Sequence, residues 1–103
     1  MSDTSTFSEF IRKMRVERDE PLRVIAAAVG IDSTLLSKLE RAERFPTEEQ
    51  VVRFAKYFKV SLAELQGKVI ADKVLTKYVN QDAAIHATQI LNDRAAPYKK
   101  RKR

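Results

Sequence analysis

Ser33, Thr34, Ser37, Lys38 and Arg41 recur at spacings of three and four, so a helix through them presents all five on one face. They offer three hydroxyls that donate and accept hydrogen bonds, and two cations that only donate. That is chemistry for recognising a polar or anionic surface. Groups for bond-making chemistry are scarce elsewhere. The chain has no cysteine, which removes disulfides and thiolate metal sites. Its one histidine, His86, sits in AAIHATQI, where a satisfied or exposed surface role suits it better than catalysis or metal ligation. There is no glycine-rich phosphate loop, and the Asp and Glu residues are scattered over caps and exposed faces. The reading is of a non-enzymatic protein with no cofactor and no metal.

The elements that would position these residues read as helices almost throughout. Two glycines, three prolines and no convincing period-two alternation argue for an all-α chain. Thr6-Phe-Ser-Glu9, Thr47-Glu-Glu-Gln50 and Ser61-Leu-Ala-Glu64 each have the form of a capping box at a helix start. After the first box, Phe7, Phe10, Ile11 and Met14 form one apolar stripe, and the helix should run to about Arg18. Asp19-Glu20-Pro21 ends it, and Pro21 suits the first turn of a second helix, about 21–29. That helix buries Leu22, Ile25, Ala26 and Val29 and stops at Gly30, which suits a left-handed C-cap. Asp32 is a good N-cap for a third helix, about 32–41, with Leu36 and Leu39 inward.

Phe45-Pro46 breaks the chain. A fourth helix, about 48–58, buries Val51, Phe54, Ala55 and Phe58. A fifth, after Ser61, carries Leu62, Leu65, Val69, Ile70, Val74 and Tyr78, with Gly67 inside it at a cost of roughly 1 kcal/mol relative to alanine. A last amphipathic segment, about 82–93, carries Ile85, Ile90 and Leu91, and residues 95–103 (AAPYKKRKR) read as a disordered basic tail.

Pro21 to Arg41 thus reads as two helices joined by a three-residue, glycine-containing turn, a helix-turn-helix. Leu36 and Leu39 would lock its second helix to the core and turn Ser33, Thr34, Ser37, Lys38 and Arg41 outward. On spacing alone, a DNA-reading unit and a plain helical bundle both remain open.

The wording of the segment goes further. LRVIAAAVGIDSTLLSKLERAERFPTEEQVVRFAKYFKVSLAEL resembles the lambda-repressor-like (Xre) helix-turn-helix family over about residues 7–66. The resemblance is carried by Ala26, Gly30, the Leu36-Ser37-Lys38-Leu39-Glu40-Arg41 run and the Val60-Ser61-Leu62 helix start. Within the family it is similar to small regulators found beside restriction-modification genes. The resemblance implies a five-helix DNA-binding domain over residues 1–66, with its helix-turn-helix at 21–41 and double-stranded DNA as partner. It places Ser33, Thr34 and Lys38 at base edges, with Ser37 close by. The chemistry fits, since lysine donates to guanine O6 and N7, hydroxyls are versatile, and methyl groups meet thymine. Leu35 would either touch a thymine methyl or pack on a neighbour. The resemblance puts phosphate contacts at Arg41, Arg44 and the N-terminus of the helix after Thr47. Arg44 has an alternative, an ion pair with Glu40 or Glu43. Arg15 and Glu40 fall where the family has a structural ion pair. Two positions depart from the family pattern. Leu22 replaces a glutamine that contacts phosphate, for which Arg23 is the candidate substitute, and Ala42 stands where many relatives have glycine or asparagine.

Residues 67–94 then read as a helical extension. Ile70, Val74 and Tyr78 share a face, and Ile85 adds apolar surface, which suggests a homodimer interface; packing onto the same chain is the alternative. Two recognition helices about 34 Å apart would read a palindromic operator. An antitoxin, with an autoregulatory DNA-binding domain and a toxin-binding C-terminal segment, is a second reading. The net charge is +6, of which Lys99 to Arg103 carry five, so the rest of the chain is nearly neutral. The tail could follow phosphates without reading sequence. No apolar run approaches the ~20 residues that span a bilayer, and MSDTSTFSEF lacks a secretory layout, so a bacterial cytoplasmic setting is expected.

Overall fold

The computed structural model describes residues 3–78 and 81–101, with side chains considered as far as Ala95. The described residues form six helices and no strand: α1 (Phe7–Glu17), α2 (Leu22–Val29), α3 (Ser33–Glu40), α4 (Glu48–Phe58), α5 (Leu62–Lys77) and α6 (Gln81–Arg101). The protein is all-α. Two compact units, Met1–Asp72 and Lys73–Arg103, divide the chain within α5.

Local chemistry explains where the helices of the first unit begin. Thr6 and Thr47 each form a reciprocal capping box, with Glu9 and Gln50 respectively. Asp32 Oδ1 accepts from Leu35 N–H at 2.7 Å, and Ser61 Oγ accepts from Glu64 N–H at 3.2 Å. Pro21 sits one place earlier than expected, at the N-cap of α2. Its ψ of 157° is extended, so it precedes the helix, while its carbonyl accepts from Val24 N–H.

The helix ends share one device. Residues Asp19, Gly30, Ala42 and Lys59 all have φ between 53° and 74°. At each, paired backbone bonds close the helix in a Schellman motif, as in Gly30 N–H to Ala27 O and Ile31 N–H to Ala26 O. Only Gly30 has the residue type that makes this conformation free of Cβ strain.

The first unit closes around Phe7 and Ile11 of α1, Ile25, Ala26 and Val29 of α2, Leu36 and Leu39 of α3, Val51, Phe54, Ala55 and Phe58 of α4, and Leu65 and Val69 of α5. Phe7 meets Phe54 edge-on at 5.5 Å, and Phe54 stacks on Phe58 at 6.2 Å. Each large side chain buried here contributes about 1.5–3 kcal/mol. This unit extends past the expected boundary at residue 66 because α5 is tied into it twice. Val69 enters the core. Lys68 Nζ donates to Asp3 O, Ser5 O and Ser5 Oγ, and Asp72 Oδ2 accepts from Phe7 N–H at 3.0 Å.

In the second unit, Ala84 is buried, and Thr88 Oγ1 donates to Ala84 O at 3.0 Å. Tyr78, Ile85, Ile90 and Leu91 are exposed, as is His86. The expectation of a structureless tail from residue 95 is corrected by the backbone, which stays helical through Arg101. Lys102 and Arg103, also part of the expected tail, lie outside the described residues. No helix among the described residues is long and apolar enough to cross a membrane.

Candidate nucleic-acid interface

The helix-turn-helix is built from α2, a three-residue turn and α3. Gly30, at φ 74° and ψ 34°, reverses the chain between them. A side chain at this position would be strained by the backbone angle, and its Cβ would lie 2.6 Å from Arg53 Nη1. Arg53 reaches over from α4 to donate to Val29 O at 3.3 Å and also pairs with Glu49. The turn is therefore held from outside by a residue the sequence reading did not single out. A long-range arginine–carbonyl contact leaves no local signature.

α3 is anchored on three sides. Leu36 and Leu39 are fully buried. Ser8 Oγ, itself buried on α1, donates to Leu39 O. Arg15 closes on Glu40 with both prongs of its guanidinium, Nε to Oε2 at 2.8 Å and Nη2 to Oε1 at 3.0 Å. Its third nitrogen donates to Glu20 O at 3.3 Å, which ties in the α1–α2 loop. The Glu40 carboxylate raises the Arg15 pKa above its ordinary value. Glu20 also accepts from Tyr57 O–H at 2.6 Å and from Arg18, whose guanidinium lies 4.9 Å from the Tyr57 ring. The Tyr57 and Arg18 bonds hold the Glu20 carboxyl below the usual carboxylate range.

With this anchoring, the opposite face of α3 is turned outward. Thr34 and Arg41 are exposed, while Ser33, Ser37 and Lys38 are half-buried. Leu35 packs against the core, which favours the packing alternative over a free methyl contact.

The structure separates the expected phosphate ligands. Arg23 and Arg44 are exposed and have no ion-pair partner among the described residues. Both partners considered for Arg44 are taken elsewhere, Glu40 by Arg15 and Glu43 by Arg41. Arg41 is engaged by two neighbours. Its Nε donates to Glu43 Oε2 at 2.6 Å, and its Nη1 donates to Ser37 Oγ at 2.7 Å. The Arg41 hydrogen bond holds the Glu43 carboxyl below its ordinary pKa, so Glu43 is ionised near neutrality. Thr47 Oγ1 accepts from Gln50 N–H, and Glu48 and Glu49 occupy the first turn of α4. Two carboxylates at a helix N-terminus satisfy its dipole from within and oppose a phosphate there.

Ala42 resolves one departure from the family pattern. It holds φ 60°, the left-handed conformation that glycine or asparagine adopts with least strain.

Comparison with known proteins agrees with this geometry. Residues 6–66 match the family described as "Helix-turn-helix domain". The match covers more than half of the chain, and the chain belongs to that family. The class so defined is the all-α helix-turn-helix domain. The cryptic phage CTXphi transcriptional repressor RstR of Vibrio cholerae is 36% identical over 59 residues, which is 57% of this chain and 53% of the relative. The chain thus spans about half the length of the curated relative it matches. No solved structure matches significantly.

Proposed function

We propose that this chain binds a specific double-stranded DNA operator as a homodimer, with α3 in the major groove. Ser33, Thr34, Ser37 and Lys38 face the base edges. Arg23, Arg41 and Arg44 neutralise flanking phosphates, and Thr47 takes a lesser part because its side chain and dipole are already satisfied. The observation that carries this reading is the outer face of α3, which is polar and accessible while the inner face is locked by Leu36, Leu39 and the Arg15–Glu40 pair. A helix held this way can enter the roughly 12 Å wide groove without reorganising.

A second copy would supply the second half-site. Ile70, Tyr78 and Ile85 are 61%, 52% and 58% exposed, and Val74 is half-buried. The same side chains would equally suit a toxin partner of an antitoxin, and the resemblance to restriction-modification regulators points to a third genetic setting. All of these readings keep DNA binding, and the adjacent gene separates them, restriction enzyme versus small toxin.

Selection of bound duplexes from a random pool, followed by gel shifts across a salt series, tests the proposal. The expected product is an inverted repeat with half-sites about one helical turn apart, bound by a species of twice the chain mass. Recovery of no consensus, or a monomer in sedimentation at binding concentrations, would overturn the specific-operator or the dimer reading respectively.

A further inference from the structure

Arg41 does not present its whole guanidinium to a phosphate. Its Nε and Nη2 edge, one of the two forks that can bind phosphate with parallel hydrogen bonds, is occupied by Glu43 at 2.6 and 3.4 Å. Nη1 donates one of its two N–H groups to Ser37 Oγ. Both ends of the pair are open to solvent, at 57% for Arg41 and 50% for Glu43. Glu43 is also fixed in place. The left-handed turn at Ala42 delivers its backbone N–H to Lys38 O at 2.9 Å. Its backbone therefore stays beside the recognition face if Arg41 leaves.

We infer that Glu43 is a built-in competitor for the DNA backbone: it occupies one phosphate-binding edge of Arg41, the Nε and Nη2 fork, in the free protein and competes for that edge when a duplex docks. This rests on the DNA-binding reading above. Three consequences follow from the geometry. Exposed pairs of this kind are weak, so the dense charge of a duplex suffices to break the contact. The displaced carboxylate then lies near phosphates and weakens every complex, specific or not. Finally, a turn of Arg41 that carries Nη1 away from Ser37 Oγ frees a hydroxyl on the base-reading face in the same movement. Counterion release by the Arg41 contact is offset because the guanidinium arrives already neutralised.

The test uses the full chain as wild type, Glu43→Gln, Glu43→Ala, Arg41→Ala and the Arg41→Ala/Glu43→Gln double variant. Each is titrated, over a salt series, with the selected operator and with a scrambled duplex. Circular dichroism melts verify that each variant folds. Removing the carboxylate should tighten binding to both duplexes by about two- to fivefold at low salt. It should also steepen the plot of log affinity against log salt by up to about one. The gain should disappear in the Arg41→Ala background. Unchanged or weaker binding by both Glu43 variants would overturn the inference. So would an equal gain without Arg41, which would reduce the effect to net charge. If wild type binds neither duplex, the DNA-binding reading fails and takes this inference with it; if wild type binds and the Glu43 variants gain nothing, only the competitor role fails.

Discussion

α3 carries an arginine–glutamate pair on each of its two faces, and the pairs differ in almost everything except chemistry. On the inner face, Arg15 and Glu40 meet with both prongs, the carboxylate only 7% exposed, and they connect α1, α3 and the α1–α2 loop. On the outer face, Arg41 and Glu43 lie two residues apart in sequence and are largely in solvent. Burial sets the role. In a low-dielectric surrounding, a lone charge is costly, so removing one member of the inner pair should destabilise the fold. In water, a lone charge costs little, so the outer pair can open and its arginine can serve a ligand.

The comparison can be broken most decisively at Arg15. Arg15→Ala leaves Glu40 buried without its partner and should destabilise the protein by about 3–5 kcal/mol. A thermal melt at the wild-type temperature would show that the inner pair is not structural. Next in size is Lys38→Ala on the outer face. It should cost about 1–3 kcal/mol of operator binding and relax base preference at one position, with an unchanged melt. A loss spread evenly over all duplexes would make Lys38 a phosphate ligand instead.

Ala42, between Glu40 and Glu43, sharpens the contrast through the backbone. Ala42→Gly relieves the left-handed strain and should raise unfolding free energy by about 1 kcal/mol in denaturant titration. A decrease would mean that alanine is not strained there. The smallest expected effect is on the stability of Glu43→Gln, whose melt should coincide with wild type although its DNA affinity changes. A lowered melting temperature would give the outer pair a structural share that its exposure argues against.

Much of the fold was legible in the sequence because it is written in short-range terms. The Thr6 and Thr47 capping boxes, the Asp32 cap and the Gly30 turn each depend on residues within a few positions of one another. The apolar stripes named the core correctly for Phe7, Ile11, Ile25, Val29, Leu36, Leu39, Phe54 and Phe58. The left-handed ends at Asp19, Ala42 and Lys59 were not legible, because their residue types do not announce the conformation. Nor was the extent of α6, where charge and Pro97 suggested an end that the backbone does not make.

The chain's own order of residues determined which faces are apolar, where helices begin, and which polar groups line the outer side of α3. Those properties follow from periodicity and from hydrogen bonds that span three or four residues. Only tertiary structure decided the other partners: Arg53 on the turn carbonyl, Lys68 on the N-terminal segment, and Glu43 with Arg41 rather than Arg44. A charged side chain chooses among several candidates by distance and solvent exposure, and both are set only once the helices have packed.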